Sequence, residues 1–366
     1  MNMKTGVALL ASFLALLAGC AAPPPVAPKA SAPLVFPPPP DEPRLIFERT
    51  IYGSADVVPQ TSSGEFKRLV TGEVRGGEGL GKPYAVAVWR GRMYVSDSAD
   101  RYVRVFDIPA GRHYRVGESD PGRLFKPLGI DVDGAGNLYV ADATLKVVAV
   151  YDESGKFRQT IGGPNWFDRL SSVTVDRDGR MLYVTDIGGV SSENHRIRVF
   201  DAQSGKHLRD IGKRGGGPGE LNLPRDVAIG KDGLLYVVDS GNFRIQVFTK
   251  EGAFVRMFGS VGKQFGQFAR PKEIASDKAG NMYVVDAAFG NFQIFRADGT
   301  LLMFAGTRSE RDGPARYMLR SGIYVDEDDR VYLVDQWFRK VDIYRPAALS
   351  AGEGFLARRP PATKAP

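Results

Sequence analysis

The sequence predicts an all-β protein: a six-bladed β-propeller of four-stranded antiparallel blades, its ring closed by an N-terminal outer strand that pairs with the C-terminal blade. Three observations carry that prediction. A Tyr, an apolar residue, one further residue and an Asp recur at Tyr94 to Asp97, Tyr139 to Asp142, Tyr183 to Asp186, Tyr236 to Asp239, Tyr283 to Asp286 and Tyr332 to Asp335. Successive Asp residues lie 45, 44, 53, 47 and 49 apart, a period that fits one blade of several short strands. From each Asp to the aromatic that ends the next strand is 9 residues, except in the third repeat, where Asp186 to Phe200 is 14.

The elements follow in chain order. Lys4 precedes an apolar run from Val7 to Ala18, too short for a stable membrane span, so residues 1–19 read as a signal peptide. Leu17-Ala18-Gly19-Cys20 resembles the lipobox of bacterial lipoproteins, which implies lipidation of Cys20. No second cysteine exists to form a disulfide with it. Ala21 follows where some sorting signals have Asp, so the resemblance implies an outer-membrane lipoprotein of the cell envelope. Residues 20–43 are dominated by Pro and Ala and are expected to form an extended tether.

The propeller is expected over residues 44–346, with a disordered tail at 347–366. Phe47 to Gly53 shares Phe, Thr, Ile and Gly with Phe157 to Gly163, the outermost strand of an internal repeat, whereas Arg345 to Pro366 contains no such strand. The N-terminal strand therefore completes the last blade, and closure removes the open sheet edges. Ser54 to Lys82 is a long Gly-rich connection. Within a repeat, the first strand starts after a Pro, as in Val227 to Ile229. Turn pairs such as Asp178-Gly179, Gly136-Asn137, Gly280-Asn281 and Asp298-Gly299 suit the tight hairpins that join the strands.

Pro-x-x-Ile/Val, Gly-Asn-Leu-Tyr-Val-x-Asp and Ser-Gly-Asn-x-Arg-Ile-x-Val-Phe together resemble the NHL repeat. The resemblance covers Pro83 to Tyr344 and is best over Pro224 to Gly259. It implies a six-bladed propeller, and its exported bacterial members are binding modules more often than enzymes. Repeat three departs from the pattern with Leu170 at the Pro position and a turn lengthened by Gly188 to Asn194; repeat six has Arg320 at the Pro position.

The chain is 43% hydrophobic and 25% charged, and its net charge of +7 is spread without a Lys/Arg run long enough for a nucleic-acid arm. Together with export, this predicts no nucleic-acid partner. The three histidines, His113, His195 and His207, occupy different places in the repeat, which disfavours a zinc centre. No catalytic residue, metal ligand or cofactor is assigned. The six signature Asp residues each precede a turn and are expected to cap it.

Function is sought where the repeats differ. Turns after the second strand and connections between blades emerge on one face, and there Tyr102, Phe243, Arg244, Phe289, Phe292, Trp337, Phe338 and Arg339 form the candidate binding face, in residue types that interfaces favour. Just after the repeat Pro, Arg225, Asp226, Lys272 and Glu273 form the candidate channel mouth, expected as a mutually neutralising ion-pair set. The sequence thus predicts a lipid-anchored, non-catalytic binding or scaffold module for a protein, peptide or glycan in the envelope, touching the membrane through its lipid alone. The alternative is a hydrolase or lyase with a calcium-type site begun by Asp226 and Glu273.

Overall fold

The computed structural model describes residues 32–59, 76–189 and 191–357. The expected signal peptide, Cys20, the tether as far as residue 31 and the tail beyond residue 357 lie outside the described residues. The blades all belong to one compact unit that begins at Leu34.

Each repeat folds into a four-stranded antiparallel meander, typified by Pro224–Ile229, Leu235–Asp239, Arg244–Phe248 and Phe254–Phe258 in blade 4. Blades 1, 2, 3 and 5 span residues 83–116, 127–162, 170–211 and 271–305. Inner strands of successive blades neighbour one another around the ring, blade 6 returning to blade 1. Alternation along the strands sends side chains to opposite faces of each blade, so the core is six apolar clusters, one per blade junction. Tyr139, for example, packs toward blade 3 while Val140 packs toward blade 1.

Blade 6 takes three strands from the end of the chain, Arg320–Val325, Val331–Asp335 and Lys340–Pro346, and its outer strand, Leu45–Ile51, from the start. Leu45 pairs with Pro346 and Ile51 with Val341 in antiparallel register. Phe36, Phe47 and Phe292 surround Tyr344 with ring centroids 5.5 to 5.8 Å away. The buried Arg330 guanidinium bonds Glu48 at 2.8 Å, Asp328 at 2.9 Å and the Glu353 carbonyl at 2.8 Å, tying both ends of the chain to one side chain.

Two expected boundaries move. Val35–Phe36 adds a fifth strand by pairing with Leu45 and Ile46, so the tether stops short of residue 43. Beyond Pro346 the chain continues to pack: Leu356 is buried in the blade 6–blade 1 cluster, and the Phe355 N–H donates to Asp328. Aromatic and aliphatic residues in otherwise Pro- and Ala-rich segments, Phe36 and Leu356, supply the apolar surface that docks them.

One irregularity shapes the channel. Every inner strand shifts register immediately after its Pro position, as between Pro224 and Val227, Pro271 and Glu273, and Arg320 and Gly322. A bulge leaves a residue outside the ladder and re-aims its neighbours, which explains why two consecutive residues of one strand can both serve the channel.

Candidate functional site

The signature Asp residues are all fully buried. Asp286 accepts the N–H groups of Ala269 (2.8 Å) and Arg270 (2.9 Å) from the preceding connection and of Ala288 (2.8 Å) from the following turn. Asp335 does the same with Met318, Leu319 and Phe338, and Asp142 with Phe125, Lys126 and Thr144. Turn capping is therefore half of their role; the other half fastens the loop that enters the blade 16 or 17 residues earlier. The signature hydroxyls of Tyr139, Tyr236, Tyr283 and Tyr332 are likewise engaged, Tyr236 with Asp232 at 2.8 Å and Tyr332 with Asp326 at 2.7 Å, whereas those of Tyr94 and Tyr183 are buried without a hydrogen-bond partner among the described residues.

The structure divides the candidate binding face. Tyr102 and Arg244 are each only 8% exposed, and Phe292 is fully buried in the blade 5–blade 6 core. Tyr102 carries Arg104 and Arg115 over its ring, while Arg244 bonds Asp239 at 2.8 Å and the Gly217 carbonyl at 2.8 Å. All three begin third strands instead of ending turns, and a strand's first residue already faces a neighbouring blade. Phe243, Phe289 and Phe338 are half-buried; Trp337, at 62% exposure, and Arg339 stand in solvent. Sequence reasoning passed over Phe265, also 62% exposed, which stacks on Phe304 with centroids 4.2 Å apart. Val261 is exposed on the same connection. The signal was present in Val-Gly-Lys-Gln-Phe, an apolar-bearing loop between two blades.

The four channel residues do not form the expected ion-pair set: among the described residues no oppositely charged side chain lies within ion-pairing distance of any of them. At the mouth, Lys272 donates to the Arg320 carbonyl at 3.4 Å and sits 5.1 Å above the Tyr84 ring. Burial, with Arg225, Arg270 and Arg320 nearby, depresses the Lys272 ammonium to about 8. Tyr84 comes from blade 1 and reaches Lys272 of blade 5. Burial, together with the carboxyls of Glu273 and Asp226, pushes its hydroxyl up to about 12, as expected of a ring between the mouth cations and the acids below.

Below it lies a chamber of about 590 Å³ running to the inner hairpin turns, on the face opposite the loops. Val86, Ile130, Val175, Val227, Ile274 and Ile323 supply the apolar part of its walls, and polar side chains line as much again. Three carboxyls enter it, and each bonds a neighbouring blade: Asp131 accepts Val175 N–H (2.9 Å), Asp226 accepts Ile274 N–H (3.0 Å) and Ser172 (2.7 Å), and Glu273 accepts Ile323 N–H (3.1 Å). Burial raises Asp131 to about 7 and Asp226 to about 6, and raises Glu273 well above the usual carboxylate range. At the open end Arg177 of blade 3 meets Glu327 of blade 6 across the ring at 3.5 Å. Glu327 also accepts the Arg90 N–H of blade 1 at 3.2 Å. Among the described residues, no group of three or more His, Cys, Asp or Glu side chains is gathered as a metal would need.

Six blades, four strands each and a ring closed by both ends of the chain define a six-bladed β-propeller. Within it, residues 221–248 match the family model described as the NHL repeat. Among curated proteins it is similar to NHL repeat-containing protein 3 of Mus musculus, 33% identical over 113 residues, which is 28% of this chain and 31% of the relative. The match thus spans about a third of that relative's length. Among solved structures it resembles a gluconolactonase from Xanthomonas campestris, with a TM-score of 0.56 at 17% identity over 73% of this chain and 86% of that one. It also resembles a virginiamycin B lyase from Staphylococcus aureus, with a TM-score of 0.53 at 16% identity over 75% and 83%. At such identities the likeness to both enzymes is one of fold.

Proposed function

We propose that the protein is a non-catalytic docking module whose loop face engages another protein, anchored to the bacterial envelope by a lipid on Cys20. One observation carries the reading: on the loop face of blades 4 to 6, Trp337 and the stacked Phe265 and Phe304 stand in solvent beside Lys263 and Arg339. Large aromatics cost apolar exposure when left uncovered, and with Arg they dominate binding hot spots. The signature carboxylates, by contrast, are occupied with backbone N–H groups and leave no reactive set on this face. The NHL repeat supports a protein partner, and the Leu17 to Cys20 motif supports the anchor.

The test is cross-linking in envelope extract with the full mature chain, comparing the native protein, a Trp337→Ala/Phe265→Ala variant, and an Arg177→Ala control on the opposite face. A partner captured by the native and control proteins and lost from the double variant is expected. Equal capture by all three would remove the reading. Palmitate labelling lost in Cys20→Ala tests the anchor separately.

A further inference from the structure

The chamber on the other face of the ring is used by nothing described so far. It is framed at its open end by the Arg177–Glu327 pair, which joins opposite blades. A volume of about 590 Å³ lined by apolar inner-strand side chains and convergent polar groups in similar measure has the size of small-molecule sites. Its polar groups are sorted by depth, with the hydroxyls of Ser172 and Thr174 beside carboxyls on the inner strands and both signs of charge at the turns. Asp131, Asp226 and Glu273 line it, while the cationic side chains that touch it, Arg177, Lys231, Lys250 and Lys278, belong to the turns at the rim.

Two of the three acids have both carboxyl oxygens committed, Asp131 to the Val132 and Val175 N–H groups and Asp226 to Ser172 and Ile274. Glu273 differs. It is only 7% exposed, its Oε2 accepts the Ile323 N–H, and its Oε1 has no hydrogen-bond partner among the described residues. The Tyr324 hydroxyl, also in the chamber, has none either. A buried carboxylate without a counter-charge is costly, so the site favours whatever brings positive charge to it, a proton or a cation.

We infer that this chamber binds a small organic ammonium, a protonated primary amine on an apolar body. The ammonium donates to Glu273 Oε1 among the three carboxyls, and the apolar body lies along the Val and Ile side chains of the inner strands. An ammonium supplies three donors and the charge that the carboxyls lack, and the aliphatic walls reward an apolar tail over a hydrated metal ion. The mouth residues Arg225 and Lys272 are not among the groups that line the chamber. The inference concerns the opposite face from the docking surface and does not depend on it.

The experiment is calorimetric titration of the mature protein at neutral pH with hexylamine, and with hexanol and hexanoate as probes of matching length. Saturable binding of hexylamine is expected, at least about tenfold tighter than either control, and reduced about tenfold or more in Glu273→Gln, whose amide oxygen can still accept the Ile323 N–H. The Trp337→Ala variant should bind hexylamine as the native protein does. Should Glu273→Gln fail to fold, Glu273→Asp, which withdraws the carboxylate by one methylene, carries the same comparison. Equal binding of hexanol or hexanoate, unchanged hexylamine affinity in the folded acid variant, or no saturation in the millimolar range would each overturn the inference.

Discussion

Arg225 and Asp226, like Lys272 and Glu273, are neighbours in sequence with opposite charges, yet the channel assigns them to different compartments. The cations face the loop side above Tyr84. The acids line the chamber beneath it, where each bonds the next inner strand. Adjacent opposite charges suggest neutralisation, but the bulge after the Pro position splits them. The acids are thereby made into fasteners between blades and the cations are left without acidic partners. Charge in this propeller is thus organised by height along the channel.

The comparison breaks most completely if the partition is removed. Tyr84→Ala deletes the ring between the compartments and should cost about 3 kcal/mol in denaturant unfolding, the scale for removing a packed aromatic. A loss below about 1 kcal/mol would mean that the ring packs against little. Next in size is the fastening role itself. Glu273→Ala strands the buried Ile323 N–H and should lose about 1–3 kcal/mol, whereas Glu273→Gln keeps the acceptor and should stay within about 1 kcal/mol of native. Equal losses in the two variants would show that the charge matters more than the bond.

A further effect is on pH dependence, and its sign is distinctive. Asp131, Asp226 and Asp326 hold protons in the folded state up to about 7, 6 and 6, whereas in the unfolded chain they ionise near 3.8. Between these limits the folded state binds more protons, so stability falls as pH rises from about 4 toward 7. The melting temperature should be higher at pH 5 than at pH 7.5, and Asp131→Asn should flatten the difference. A melting temperature that rises over that interval would contradict the burial of these carboxyls.

Much of the fold was legible because each blade repeats the same local instructions. The Tyr and Asp of the signature announce the second strand, and Phe47, Thr50 and Ile51 announce the strand that completes blade 6. What was not legible depends on the ring as a whole. Nothing local shows that Asp286 reaches back to Ala269 and Arg270, since that contact needs the blade entry loop to return over the turn. Tyr102, Arg244 and Phe292 were misplaced because the last residue of a turn and the first of a strand differ by one position, yet one faces water and the other a neighbouring blade. The Arg177–Glu327 pair arises only because blades 3 and 6 come to lie opposite each other once six blades have closed.

Closure also sets an order of events. Thr50 and Asp342, hydrogen-bonded at 2.6 Å, are 292 residues apart, so the Leu45–Ile51 strand waits for a partner made long after it. Until then blades 1 to 5 can form as local meanders, but blade 6 keeps an unpaired edge and the blade 6–blade 1 cluster stays open to water. Pairings of such long sequence separation form slowly and leave sticky intermediates exposed in the meantime. The ring therefore closes only once residues 341–346 have been made, and a chain cut short before Tyr344 leaves the Leu45–Ile51 strand with nothing to close upon.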